Sequence, residues 1–397
     1  MNLLSDRIQN LSESQTIAMS KKSRELQERG IDVISLSLGE PDFNTPDFIK
    51  DAAKQGIDDN YTYYPPISGY KDLREAISNK FKRDNNLNYS ADQIVVSTGA
   101  KQSIANVVLC TINPGDEVLM PAPYWVSYYE IVKLAGGVPV VIPTKIENDF
   151  KITGEELESY INTKTKMLVY SSPCNPSGSV YTETELQDLA RVLKLHKNIL
   201  VISDEIYELI NFEGKTFSLA SFEEIYDQVV TVNGVSKGFA MTGWRCGYIG
   251  APLWLAKACD KMQGQFTSAT SSITQRAVKA AVEAEPSVIN EMKEAFKRRR
   301  DLVLKHLNEI PGFETNLPKG AFYIFPNISS LFGKKYGEHT IETSQDLCVY
   351  LLEEGRVGLV PGDAFGSPDC IRISYAASEE VLEEAMKRIK EAIEKLK

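Results

Sequence analysis

Along the middle of the chain, short apolar runs recur between longer segments in which apolar and polar residues mix at helical spacing. The runs are QIVVS at 93–97, VPVVI at 138–142, KMLVYSS at 166–172, NILVIS at 198–203 and VVTVNGV at 229–235. Continuous apolar character over so few residues, with helices between, predicts strands covered on both faces and hence a largely parallel α/β sheet. After Pro286 the pattern changes: a long helix is expected over 287–307, strand-like pieces at 321–325 and 371–376, and a last amphipathic helix. That helix carries Val381, Leu382, Ala385, Met386, Ile389, Ala392, Ile393 and Leu396 on one stripe, read as core packing. A second, smaller α+β domain at the C-terminal end follows.

Length and composition narrow the class. The chain has 397 residues, 43% hydrophobic and 25% charged, ordinary for a globular protein of two or three domains. A formal net charge of -10 argues against nucleic acid or an anionic membrane as partner, since both need a positive field. The one dense basic run, KRRR at 297–300, has Glu291, Glu294 and Asp301 around it and reads as a solvated helix face. Six scattered cysteines without a CxxC pair suit reduced thiols, and the three histidines lie far from one another, so no metal site is expected. The N-terminus meets Asp6 and Arg7 before any long apolar stretch, and no run reaches membrane-spanning length; the expected compartment is the cytoplasm.

In open α/β sheets ligands sit beyond the carboxyl ends of the strands, which directs attention to three exits. STGAKQS at 97–103 is a small-residue turn leading into a helix, whose N-terminus can seat an anion. Asp204 closes another run, and Lys237 follows a third directly, with Arg245 eight residues on. Taken singly, each fits an ordinary turn, a helix cap or a solvated loop. An ammonium arriving from a buried strand is costly, however, and partial desolvation lowers its pKa and makes it a nucleophile. An anion seat, a carboxylate, a reactive lysine and a forked cation together match pyridoxal phosphate. No GxGxxG opens a helix after a strand and no GxxxxGK[ST] is present, which weighs against nicotinamide and P-loop alternatives.

The segment SKGFAMTGWRCG at 236–247 resembles the cofactor-lysine signature of the class I aminotransferases. Nearly the whole chain is similar to that family's aspartate aminotransferase branch, through LGEPDF at 38–43, YPPISG at 64–69, PYWVSY at 123–128, SSPCNPSG at 171–178, SDEIY at 203–207 and IRISYA at 371–376. The resemblance implies the type I pyridoxal-phosphate-dependent transferase fold: a large domain over 48–285 with a mixed, mostly parallel sheet flanked by helices, and a smaller α+β domain from 1–47 and 286–397. It implies that Lys237 bonds to the cofactor aldehyde and then carries a proton, that Asp204 keeps the ring nitrogen protonated, and that Asn175 and Tyr207 bond the ring oxygen. Trp125 would stack on the ring. Gly99, Ala100 and Lys101 backbone N–H groups, Ser236 and Arg245 would hold the phosphate. Tyr64 would reach it from the other subunit, so a homodimer with shared sites is implied. Arg372 would clamp the substrate α-carboxylate, assisted by Asn175 and Gly39.

Specificity is less plainly written. Many members of this branch read the distal carboxylate with a partner's arginine, yet 263–272 contains none. Lys101 matches the lysine that a second group of aspartate aminotransferases uses there. The activity implied is transfer of the amino group of L-aspartate to 2-oxoglutarate, giving oxaloacetate and L-glutamate in two alternating halves. An aminotransferase preferring aromatic amino acids or prephenate, or a β-lyase, shares the cofactor residues. Relatives that accept prephenate tend to carry a basic residue near the N-terminus, where this chain has Ser12 and Glu13, so prephenate is expected to be a poor substrate. Transcription regulators with a similar domain carry a DNA-binding module in front; here the similarity starts almost at the first residue.

Overall fold

In the computed structural model, which describes residues 3–397, the apolar runs become a seven-stranded sheet. Its strands are β1 Ile94–Ser97, β2 Glu117–Pro121, β3 Val138–Ile142, β4 Thr165–Ser171, β5 Leu200–Asp204, β6 Val229–Gly234 and β7 Gly247–Gly250. They lie in the order β1-β7-β6-β5-β4-β2-β3, and all point the same way except β7, which runs against both neighbours. Five strands coincide with the expected runs. β2 and β7 were not anticipated, because EVLMP opens on a charge and GYIG is half glycine.

Period-two alternation builds a core on each face of this sheet. Val95, Val118, Met120, Met167, Val169, Ile202 and Val230 join one apolar cluster, with Val107 of helix Ala100–Thr111 and Leu255 of helix Leu253–Phe266. Ile94, Val96, Leu119, Leu168, Val201 and Val229 join the other. Both faces are therefore dry, and each fully buried aliphatic side chain contributes about 1.5–3 kcal/mol. Helix Glu183–Leu193 is started by a capping box, in which Thr182 Oγ1 accepts from the Glu185 N–H and the Glu185 carboxylate accepts from the Thr182 N–H.

After the sheet, a 3-10 turn over Pro286–Ile289 precedes helix Asn290–Leu307, so the expected helix begins three residues later than its pattern suggested. This helix packs on helix Glu379–Ile393. Beside them a three-stranded antiparallel sheet places Ile371–Ser374 between Val360–Pro361 and Tyr323–Ile324. Ile34–Ser35 pairs in parallel with Val357–Gly358, tying the start of the chain to its last segment. In the final helix the expected stripe is buried except for Val381, which is 40% exposed at the first turn.

Half of the basic run departs from its expected solvated face, while Arg298 stays exposed. Arg299 and Arg300 are buried. Arg299 donates twice to Asp42, at 2.7 and 2.9 Å, and Arg300 donates to the Pro318 carbonyl at 2.9 Å and lies over the Phe212 ring. Forked guanidinium geometry suits such burial, and these arginines staple the helix to residues far away in sequence. Among the described residues no helix is long and apolar enough to cross a membrane. All six cysteines are free thiols.

Candidate active site

Because β7 is antiparallel to both β1 and β6, the carboxyl ends of β1, β5 and β6 point to one edge of the sheet. The three exits singled out in the sequence meet there, around a cavity of 280 Å³. Its walls include Gly39, Ala100, Lys101, Trp125, Asn175, Asp204, Tyr207, Ser236, Lys237, Arg245 and Arg372. Residues from 39 to 372 in the chain thus converge on one site.

At the end of β1, Gly99 precedes helix Ala100–Thr111 with φ +89°, and no side chain caps the helix. Its first N–H groups have no intrahelical acceptor, so the cavity faces a positive helix end. Two glycines make this possible. A Cβ on Gly99 would stand 2.4 Å from an Arg245 guanidinium nitrogen, and one on Gly247 would stand 2.2 Å from the Ala100 nitrogen. Arg245 itself adopts a left-handed backbone, φ +55°, and its guanidinium donates to the Thr242 carbonyl at 2.8 Å. Such a conformation costs a non-glycine residue about 1 kcal/mol or more and here turns the cation toward the helix end. Ser236 is buried in the same wall.

Asp204 ends β5, 4% exposed. Its Oδ2 accepts from the Tyr128 hydroxyl at 2.5 Å and its Oδ1 from the Ile206 N–H at 3.2 Å. Burial pushes its carboxyl up to about 6, against the lowering effect of these hydrogen bonds and of Lys237. Lys237, just past β6, donates to the Gly39 carbonyl at 2.5 Å. Burial pulls its ammonium down to about 8; Glu40 opposes that shift, and Arg372 and Arg245 add to it. The site thus holds a carboxylate that feels Lys237 but forms no ion pair among the described residues, and an amine poised to lose its proton near neutrality. A protonated aromatic nitrogen beside the first and an aldehyde beside the second would relieve both.

The opposite wall comes from the antiparallel sheet. Arg372 is 2% exposed; it donates to the Ser37 carbonyl at 2.6 Å and to Asn175 Oδ1 at 2.9 Å, while its Nε has no partner. An orphaned buried guanidinium nitrogen is a vacancy for an anionic acceptor. The Tyr207 and Tyr323 hydroxyls share a hydrogen bond of 2.7 Å. At the mouth, Lys101 Nζ sits 5.0 Å from the centre of the Trp125 ring, a cation–π contact. Partial desolvation and then the Arg245 charge hold its ammonium below the usual lysine range. The residue is exposed overall, yet its side chain lines the cavity mouth.

Two predicted residues fall outside this cavity's lining: Gly99, which directly precedes Ala100 at the helix start, and Tyr64, which is 97% exposed. Conversely, Tyr128, Tyr323 and Thr242 line the cavity without having been assigned a role from sequence. Tyr128 stood inside the PYWVSY stretch, so a signal existed, but an aromatic residue at helical spacing reads first as core. The N-terminal wall is made by Ser14, Thr16 and Ile17 and brings no cation. Among the described residues no His, Cys, Asp and Glu cluster has metal-binding geometry.

Residues 31–389 match the family model described as aminotransferase class I and II. A bifunctional aspartate aminotransferase and glutamate/aspartate-prephenate aminotransferase of Petunia hybrida is 47% identical over 99% of this chain and 83% of its own. An aspartate/prephenate aminotransferase of Cereibacter sphaeroides is 45% identical over 98% of both chains. Among solved structures, the aspartate aminotransferase of Rhizobium meliloti superposes over 100% of both chains with a TM-score of 0.97 at 40% identity. That of Thermus thermophilus, solved with maleate, covers 99% of this chain and 100% of its own with a TM-score of 0.92 at 38% identity.

Proposed function

Because the chain belongs to the class I and II aminotransferases, we propose that it transfers the amino group of L-aspartate to 2-oxoglutarate on pyridoxal phosphate, giving oxaloacetate and L-glutamate. The observation that carries this reading is the meeting, in one cavity, of the depressed amine of Lys237 with the buried carboxylate of Asp204, which forms no ion pair among the described residues. The donor set fits the cofactor: an uncapped helix end, Ser236 and Arg245 for the phosphate, Asp204 for the ring nitrogen, Asn175 and Tyr207 for the ring oxygen, and Trp125 for the ring face. When bound, pyridoxal phosphate supplies an aldehyde that captures amines and a ring that takes up the electron pair left at the substrate α-carbon.

The chain's residues supply the rest. Arg372 holds the α-carboxylate through its unpartnered Nε and a neighbouring nitrogen, with Asn175 and the Gly39 backbone beside it. That fixes which face of the α-carbon meets Lys237, whose Nζ removes the α-proton as a base with a pKa near working pH and returns it to the product side. Asp204, once paired with a ring N–H, stays ionised and holds that proton in place. Lys101 at the mouth offers a point charge to the distal carboxylate. The cation-free wall of Ser14, Thr16 and Ile17 favours oxaloacetate over prephenate as the oxo acid.

In this reading 48–285 form the large cofactor-binding domain, and 1–47 with 286–397 the small one, as the pairing of Ile34–Ser35 with Val357–Gly358 supports. Tyr64, exposed and outside the lining of its own cavity, serves the phosphate of a second subunit, so the enzyme is a homodimer with shared sites, working in the cytoplasm on small amino and oxo acids. The test loads purified protein with pyridoxal phosphate, treats it with borohydride and sequences the labelled peptide, then follows oxaloacetate formation. A tag on Lys237 with ping-pong kinetics is expected. An untagged peptide, or a tagged protein that makes no oxaloacetate, overturns the reading.

A further inference from the structure

Tyr323 lies between the two halves of the site. It stands on strand Tyr323–Ile324, where it pairs with Ser374 of the neighbouring strand Ile371–Ser374. Arg372 is two residues from Ser374, hence on the same face and diagonal to Tyr323, within reach of an aromatic side chain. The guanidinium carbon of Arg372 sits 4.6 Å from the centre of the Tyr323 ring. The other end of that ring meets a different part of the fold: its hydroxyl is 2.7 Å from the Tyr207 hydroxyl, on the loop after β5. Both phenols and Arg372 are at most 3% exposed. A Cβ on Gly39 would come 2.1 Å from the Tyr323 oxygen, so the tyrosine is also wedged against the substrate-facing backbone.

We propose that Tyr323 is a positioning residue that couples carboxylate capture at Arg372 to the hydrogen bond that Tyr207 offers the cofactor ring oxygen. The inference rests on the function proposed above. Its physical basis is polarity in a dry site. Tyr207 can donate to only one acceptor, so while it donates to the ring oxygen Tyr323 must be the donor in the phenol pair, which strengthens Tyr207 as a donor. The buried cation against the Tyr323 ring favours that donation, and a carboxylate on Arg372 cancels much of the cation's field. Arg372 also pulls the phenols toward more acidic behaviour, though burial dominates and keeps both above the ordinary tyrosine range. The other charged groups facing the pair are Lys237, 5.9 Å from the Tyr207 ring centre, and Asp204.

The test uses Tyr323→Phe, which keeps the ring under Arg372 and removes only the hydroxyl, with Tyr207→Phe and the double variant. Each holoenzyme is titrated by its visible absorption against pH, without and with saturating maleate, an unreactive dicarboxylate. Maleate affinity is measured separately by calorimetry. In Tyr323→Phe the pH midpoint is expected to move by about 0.5–1 unit and the maleate-induced displacement of that midpoint to shrink. By linkage, the pH dependence of maleate affinity shrinks equally. Adding Tyr323→Phe to Tyr207→Phe is expected to change nothing further, because the tyrosine acts through its partner. An unchanged midpoint and displacement in Tyr323→Phe, or an additive double variant, overturns the proposal. If Tyr323→Phe does not fold, Gly39→Ala, which presses on the same hydroxyl, must reproduce the reduced displacement or the proposal fails. Absence of a visible band in the wild type defeats the proposed function instead, and the two failures are thereby separate.

Discussion

Replacing Lys237 by methionine should stabilise the cofactor-free protein while abolishing turnover. Methionine has nearly the same length and no charge, so it removes the ammonium without opening a large cavity. Lowering the pKa of that ammonium from 10.5 to about 8 corresponds to about 3 kcal/mol of native-state cost at neutral pH. The lysine stem retains some exposure to the cavity, and loss of its bond to the Gly39 carbonyl subtracts further, so a net gain of about 2 kcal/mol is expected. For a chain of this length that raises the melting temperature by about 2–3 °C. The pH dependence carries the sharper test. A depressed lysine destabilises fully below its folded pKa of about 8, progressively less between 8 and 10.5, and not at all above. The variant's advantage should therefore be greatest at pH 7 and fade toward pH 10.5, measured by thermal melts of both apoproteins. A variant no more stable than wild type at pH 7, or an advantage constant across that range, refutes the reasoning.

Lys101→Met should lower kcat/KM for aspartate by about 10–50-fold and change that for phenylalanine little, since only a dicarboxylate meets the lysine; equal losses would point to an aromatic-preferring enzyme or a lyase. Arg372→Lys replaces a fork by a point charge and should cost about 50-fold or more with every amino acid, read as kcat/KM across a panel. Tyr64→Phe should weaken cofactor retention by about 3–10-fold in dialysis, and sedimentation should find a dimer; a monomer with full cofactor occupancy would exclude sharing. Prephenate should be turned over far more slowly than oxaloacetate, and equal rates would show that a basic N-terminal residue is unnecessary.

The five strands built from continuous apolar runs were legible because burial on both faces leaves a sequence no other composition. The exits at Gly99, Asp204 and Lys237 were legible for a related reason: polar groups placed directly after such strands are costly unless something binds there. β2 and β7 escaped because a leading charge or two glycines dilute the same signal. Arg299 and Arg300 read as solvated because local composition says nothing about an Asp42 that arrives from 257 residues away. The roles of Tyr128 and Tyr323 were not legible: a buried aromatic with an acceptor and one without look alike in one dimension, and only the fold brings Asp204 and Tyr207 to their hydroxyls.

The sequence by itself thus determined the layered sheet, the family and most of the residues that line the cavity. The tertiary structure alone decided which cations stay unpaired, how far Lys237 and Asp204 are pushed from their ordinary pKa values, and which phenols join the two walls. Those properties arise from desolvation and from hydrogen bonds between residues 76 to 335 positions apart. They exist only once strand pairing has set the distances, because electrostatic cost and hydrogen-bond strength depend on separation and burial in space.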